Sequence, residues 1–258
     1  LKSLSSLLVY QGMDKRTLPL HEECVRMQKF VFGDNHRNTL RSMHNLAVYC
    51  MNQGEHEKAL LLYEDCLSLG LIVLEENHVD TLKSMHNLAV LYSKKGEYEK
   101  ALTLYEDCLT IRKTVLGDDH RDTLASMNSL ARLLKSQREY EKALPLYEEC
   151  VKMNRIVLGE NHPDTLTCIH ELAALYEQRE EYGKALSLFE ECKRVSDRIF
   201  GERHIATLTC LNNLAVLYDR QGEYEKALFA SDQCLRMRKE VLGEQHPDTL
   251  ISMNNIAV

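Results

Sequence analysis

The stretch that decides the fold runs Thr81-Leu82-Lys83-Ser84-Met85-His86-Asn87-Leu88-Ala89-Val90-Leu91-Tyr92 and, past Ser93-Lys94-Lys95, Gly96-Glu97-Tyr98-Glu99-Lys100-Ala101-Leu102. Leu82, Met85, Leu88, Ala89 and Tyr92 recur at helical spacing and form one apolar stripe along a first helix. Lys94, Lys95 and Gly96 break it, glycine being able to take the positive φ that ends a helix. A second stripe follows in Ala101, Leu102, Leu104, Tyr105, Cys108, Leu109, Val115 and Leu116, and Gly117 stops it. The next helix begins after Gly117-Asp118-Asp119-His120. Where the same joint reads His162-Pro163-Asp164-Thr165, Pro163 suits the first helical position and Asp164 favours the positive end of the helix dipole. No segment carries a strand pattern, so the unit reads as a helical hairpin.

Working outward, the same hairpin fills the chain. Threonine recurs at Thr39, Thr81, Thr123, Thr165, Thr207 and Thr249, every 42 residues without a slip. Histidine keeps the period at His36, His78, His120, His162, His204 and His246, and cysteine at Cys24, Cys66, Cys108, Cys150, Cys192 and Cys234. Three residue types holding one period define an array of one supersecondary unit. The repeats read approximately as 1–38, 39–80, 81–122, 123–164, 165–206, 207–248 and 249–258, all within one solenoid domain over 1–258. Leu1 aligns with Met43 and Met85, and the chain stops at Val258 inside a first helix. Ile251, Met253, Ile256 and Ala257 have no sequence partner, so a longer parent protein, or ends packed on a neighbour, is the expectation.

Bulk properties narrow the function classes. The composition, 44% hydrophobic and 28% charged, suits a folded chain. A net charge of -7 argues against general nucleic-acid binding, which wants a basic surface. No apolar stretch nears the ~18–20 residues that span a bilayer. Leu1 opens a polar run, so no signal peptide is expected, and the nine cysteines are expected to be reduced thiols in the cytosol.

The phrase Asn87-Leu88-Ala89-Val90-Leu91-Tyr92, then Gly96-Glu97-Tyr98-Glu99-Lys100-Ala101-Leu102, resembles the tetratricopeptide repeat signature. The 42-residue spacing and the Val-Leu-Gly-x-x-His-Pro-Asp-Thr connection resemble a narrower group, the long repeats of kinesin light chains. The resemblance covers essentially the whole chain. It implies an all-α, right-handed tetratricopeptide-type superhelical solenoid of antiparallel helix pairs. It also implies a cytoplasmic, cytoskeleton-associated scaffold that binds protein or peptide ligands, with a kinesin heavy chain as partner through regions outside this sequence.

Chemical sites are hard to find. The cysteines are dispersed one per repeat at a small-residue slot of the second helix, which reads as core and not as a metal or redox site. The histidines each precede a first helix, where a polar side chain can satisfy free backbone N–H groups. The acidic pairs Glu22-Glu23, Glu64-Asp65, Glu106-Asp107, Glu148-Glu149 and Glu190-Glu191 read as a solvated outer face. No phosphate-cradling loop, metalloprotease helix or nucleophile elbow occurs. The chain is expected to be no enzyme and to need no cofactor or metal.

A ligand is expected on the concave side, which the first helices line in tetratricopeptide proteins. Opposite the apolar stripes lie Arg41, His44, Asn45 and Val48, then Lys83, His86, Asn87, Val90 and Lys94. Asn128, Ser129, Arg132 and Lys135 follow, then His170, Glu171 and Glu177, then Asn212, Asn213 and Asp219, and finally Asn254 and Asn255. Asn45, Asn87, Asn213 and Asn255 hold one register, and a carboxamide can both donate to and accept from a peptide backbone. The resemblance implies this clamp; Ser129 and Glu171 interrupt it. Arg41, Lys83, Lys94, Arg132 and Lys135 would make half the groove basic and suited to an acidic or phosphorylated peptide. Two alternatives stand beside this reading: a self-assembling structural array, and the sensor segment of a larger signalling ATPase. Gly70, inside a second helix, and Glu75, where other repeats have the stop glycine, predict fraying or a bend. Arg138 and Glu180 replace turn glycines, so altered loops are expected there.

Overall fold

A computed structural model of the chain describes residues 14–257, and side chains from 17 to 255. The reading of the first helix at Leu1 lies outside the described residues, as do the side chains of Ile256, Ala257 and Val258. Twelve α-helices and no strand occur among the described residues. They are α1 Asp14–Phe32, α2 Arg37–Asn52, α3 His56–Val73, α4 Val79–Lys95, α5 Tyr98–Leu116, α6 Arg121–Ser136, α7 Tyr140–Val157, α8 Pro163–Gln178, α9 Tyr182–Phe200, α10 Ile205–Arg220, α11 Tyr224–Leu242 and α12 Pro247–Ala257. The chain condenses into two compact halves, Leu1–Ser129 and Leu130–Val258, the division falling inside α6.

The recurring residues punctuate the helices. Nδ1 of His36, His78, His120, His162, His204 and His246 each accepts the backbone N–H two residues on, at 3.1–3.2 Å. Each histidine thus satisfies one orphan donor of the helix it precedes. The threonines stitch the joint from the other side. Thr39, Thr165, Thr207 and Thr249 are buried, and each donates its hydroxyl to the carbonyl of the stop glycine six residues earlier.

Within a hairpin the helices run antiparallel. Cys108 on α5 donates to the Leu82 carbonyl at the start of α4, while Lys100 sits over the Tyr92 ring at its end. Tyr63, Tyr105, Tyr147 and Phe189 occupy one register of the second helices and are fully buried. His44, His86 and His170 meet Tyr63, Tyr105 and Phe189 edge-on at 5.3–5.5 Å, the favoured arrangement for aromatic pairs. Five of the six periodic cysteines, from Cys66 to Cys234, are buried, Cys24 is half-buried, and all nine cysteines are free thiols.

The structure corrects four expectations. Gly70 lies inside the unbroken α3, buried, its carbonyl accepting the Leu74 N–H. A Cβ there would come within 3.0 Å of Thr81 Oγ1, so glycine answers a close approach. Arg138 and Glu180 do not reshape their loops. Both take the left-handed φ, 63°, that glycine takes in the equivalent turns, and Glu75 does the same at 70°. The acidic pairs are not simply solvated: Tyr92 OH donates to Glu64 and Tyr176 OH to Glu148, both at 2.6 Å, tying a second helix to the next first helix. His44, His86 and His170, read as exposed, are half-buried against the aromatic column.

Candidate functional site

In the N-terminal half, spacing sets the face. Lys83, Asn87, Val90 and Lys94 stand at i, i+4, i+7 and i+11 of α4 and so share one side of that helix. Arg41 and Asn45 hold the registers of Lys83 and Asn87 on α2. Arg41, Lys83 and Lys94 are exposed and form no ion pair among the described residues. Arg41 makes one hydrogen bond, to Asn38 Oδ1 at 3.2 Å. Asn45 and Asn87 are half-buried beside them. Asn87 Nδ2 donates to Tyr63 OH at 2.9 Å, which fixes the carboxamide and leaves its oxygen without a partner in that contact. Lys94 also lines a depression of about 190 Å³ with His56, Glu57, Leu60, Leu91 and Lys95.

His44 sits under this face. Its Nδ1 lies 3.1 Å from Ser84 Oγ, and burial pulls its pKa down to about 4, the Asp80 charge opposing and the Lys83 charge adding to the shift. The ring is therefore neutral at neutral pH, and the positive charge of the face resides in Arg41, Lys83 and Lys94.

The C-terminal half is wired differently. Lys135 forms an ion pair with Glu171, the two side chains only 15% and 21% exposed, and stands 5.8 Å from the centroid of the Tyr147 ring. Arg132 is exposed. Asn213 Nδ2 lies 2.8 Å from His170 Nε2, and Asn255 Nδ2 donates to Asn212 Oδ1 at 3.2 Å. Lys135, Asn213 and Asn255 are thus engaged repeat to repeat, whereas Arg132 stays exposed like Arg41, Lys83 and Lys94. Sequence reasoning missed these partners because they lie 36 to 43 residues away. The available signal was the register of Tyr63, Tyr105, Tyr147 and Phe189, which marks where one helix row meets the next.

Among the described residues no group of three or more histidine, cysteine or acidic side chains is placed to hold a metal, and no helix is long and apolar enough to cross a membrane.

The chain is similar to known proteins in its repeats and its fold. The tetratricopeptide repeat matches residues 2–71, 53–114, 80–156, 136–196 and 172–240. No curated protein sequence matches the chain. Among solved structures, a kinesin light chain-like protein of Podosopora anserina with nearly identical TPR-like repeats is 27% identical, with a TM-score of 0.71 over 80% of this chain and 98% of its own. BtubC (BKLC) of P. vanneervenii shares the fold, with a TM-score of 0.77 at 21% identity over 91% of this chain and 94% of that one. YrrB, described as a TPR protein with an unusual peptide-binding site, superposes with a TM-score of 0.55 at 18% identity over 84% of this chain and 91% of its own. The chain belongs to the tetratricopeptide-repeat family, and its repeats are similar to those of the kinesin light chain-like protein of Podosopora anserina.

Proposed function

We propose that the chain is a non-enzymatic scaffold that binds an extended acidic peptide along the first-helix face of its N-terminal half, in the manner of cargo recognition by kinesin light chains. Tetratricopeptide proteins in general serve protein–protein contact, which supports the scaffold reading. The peptide-binding site described for YrrB is a precedent for a ligand of this class.

The observation that carries the proposal is the set of three exposed, unpaired cations, Arg41, Lys83 and Lys94, beside two half-buried asparagines. Asn45 and Asn87 would hold the peptide backbone, and the cations would meet its acidic side chains. Because Lys135 is already paired with Glu171, the second half offers Arg132 as its free cation at the predicted positions, with Asn213 and Asn255 supplying carboxamides. The acidic specificity is therefore assigned to the first half.

Binding of a fluorescent acidic peptide library, measured by anisotropy, tests this. Reversing Arg41 and Lys83 together (R41E/K83E) should weaken an acidic ligand by at least tenfold, and raising salt from 50 to 200 mM should weaken wild-type binding in parallel, since exposed charges are screened over roughly 10 Å. Binding indifferent to both changes would reject the basic face as the site.

A further inference from the structure

The second observation of consequence lies in the C-terminal half and is unrelated to the peptide face. Five of the six periodic cysteines meet the residue 18 positions on, in the next first helix. In four seams that residue is serine, Ser42, Ser84, Ser126 and Ser252, and in three of them the pair is in contact: Cys24 lies 3.6 Å from Ser42 Oγ, Cys108 3.8 Å from Ser126 Oγ and Cys234 3.7 Å from Ser252 Oγ. In two consecutive seams it is cysteine. Cys150 Sγ on α7 lies 3.2 Å from Cys168 Sγ on α8, and Cys192 Sγ on α9 lies 3.1 Å from Cys210 Sγ on α10.

The two dithiols approach about half an ångström more closely than the thiol–hydroxyl pairs, although sulfur is the larger atom. Reaching the ~2.0 Å of a disulfide requires closing roughly 1 Å. Each pair also carries its own polar partner. Asn154 Nδ2, itself 3% exposed, contacts Cys150 Sγ at 3.3 Å and Cys168 Sγ at 3.2 Å. Ser196, 1% exposed, stands close enough to Cys192 and Cys210 to favour the thiolate of both. A donor shared by two sulfurs holds them in one place and can stabilise the negative charge on either during exchange.

We infer that Cys150–Cys168 and Cys192–Cys210 are disulfide-forming pairs, closed by a hydroperoxide and stapling two successive seams of the C-terminal half. In each, one thiolate attacks the peroxide oxygen, giving a sulfenic acid and releasing water once the displaced hydroxide takes a proton. The partner thiolate then attacks the sulfenic sulfur and expels its hydroxyl, which leaves as a second water. Two thiols and one peroxide thus give one disulfide and two waters; the sulfurs lose two electrons and the peroxide gains them. The mutual hydrogen bond and burial push the Cys168 and Cys192 thiols up, so reaction is slow and accompanies local opening of the seam.

The test uses the full chain, treated with hydrogen peroxide under native conditions, then alkylated in denaturant and mapped by mass spectrometry without reduction. The expected result is peptides linked Cys150 to Cys168 and Cys192 to Cys210, with Cys66, Cys108 and Cys234 recovered as alkylated thiols. Two disulfides of this loop length should raise the thermal midpoint of the oxidised chain by roughly 5–10 °C. The control is C168S/C210S, which installs the serine that the other seams already tolerate. It should fold, form neither link and show no oxidant-induced rise. Recovery of all four cysteines as free thiols, or as anything other than these two links, would overturn the inference. So would a midpoint rise that survives in C168S/C210S.

Discussion

Replacing Arg112 by methionine asks what holds one repeat to the next in the N-terminal half. Arg112 is 3% exposed, and no carboxylate pairs with it among the described residues. Its Nη1 donates to the Asp122 carbonyl and to Ser126 Oγ, each at 2.7 Å, and its Nη2 to the Leu82 carbonyl at 3.2 Å. One guanidinium therefore ties α5 to the first turns of both α4 and α6. Hydrogen bonds from a charged donor are worth ~1.5–3 kcal/mol each, so three give about 5–9 kcal/mol gross. Against this stands the desolvation of a buried cation, several kcal/mol after relaxation. Methionine keeps the stem and most of the packing, so the cavity left behind is small. The expected net loss is about 2–3 kcal/mol, or roughly 4–6 °C in a thermal melt followed by far-UV circular dichroism. Arg238 occupies the same register, donating to the Asp248 carbonyl and to Ser252 Oγ at 2.7 and 2.8 Å, and R238M should cost a similar amount independently. The double variant R112N/S126C installs the pair found at Asn154 and Cys168 and should recover part of the loss. If R112M were as stable as wild type or more so, the guanidinium would be a desolvation burden and the reasoning would fail.

Two further outcomes follow from the backbone and from burial. Glu75, Arg138 and Glu180 hold left-handed φ values of 63–70°, which cost a non-glycine residue ~1–2 kcal/mol, partly offset by the entropy glycine brings to the unfolded chain. E75G, R138G and E180G should each stabilise by about 0.5–1 kcal/mol and add when combined, as urea midpoints would show; a loss at any of them would mean its side chain makes a contact worth more than the strain. His44 has a folded-state pKa depressed to about 4 by burial, and burial lowers His170 as well. Because the unfolded ring binds protons more readily, the stability it contributes is full above pH 6.5 and is lost as pH falls from there through 4. H44N, which places the residue of Asn128 and Asn212 at that register, should flatten the fall in urea midpoint between pH 7 and 4.5; an unchanged slope would assign the acid sensitivity to other groups.

Much of this molecule was legible because its information is local and periodic. The histidine caps, the buried cysteines, the hairpin punctuation and the all-helical make-up of the described residues follow from a 42-residue pattern read against helical spacing. The turns at Arg138 and Glu180 were misread because tertiary packing imposes the glycine conformation on residues that would not choose it. The candidate site was legible as a face but not as a network. That Lys135 is engaged by Glu171 and Asn213 by His170 depends on how far one first helix lies from the next, which no single helix encodes. Nothing local marks Arg112 as buried; only its recurrence at Arg238, in the register held elsewhere by Gly70, Asn154 and Ser196, hints that it points inward.

That register limits how such a gene can grow or shrink. Arg112 is matched to Ser126 and Arg238 to Ser252, whereas Asn154 is matched to Cys168 and Ser196 to Cys210. Unequal crossing-over that deletes one 42-residue repeat can set Arg112 against Cys168, trading a strong hydroxyl acceptor for a weak thiol beneath a buried cation. Removal of three repeats, the 126 residues that separate Arg112 from Arg238, brings an arginine back to a serine and leaves the junction chemically intact. Although every repeat has the same length, the neutral unit of duplication at this junction is three repeats and not one.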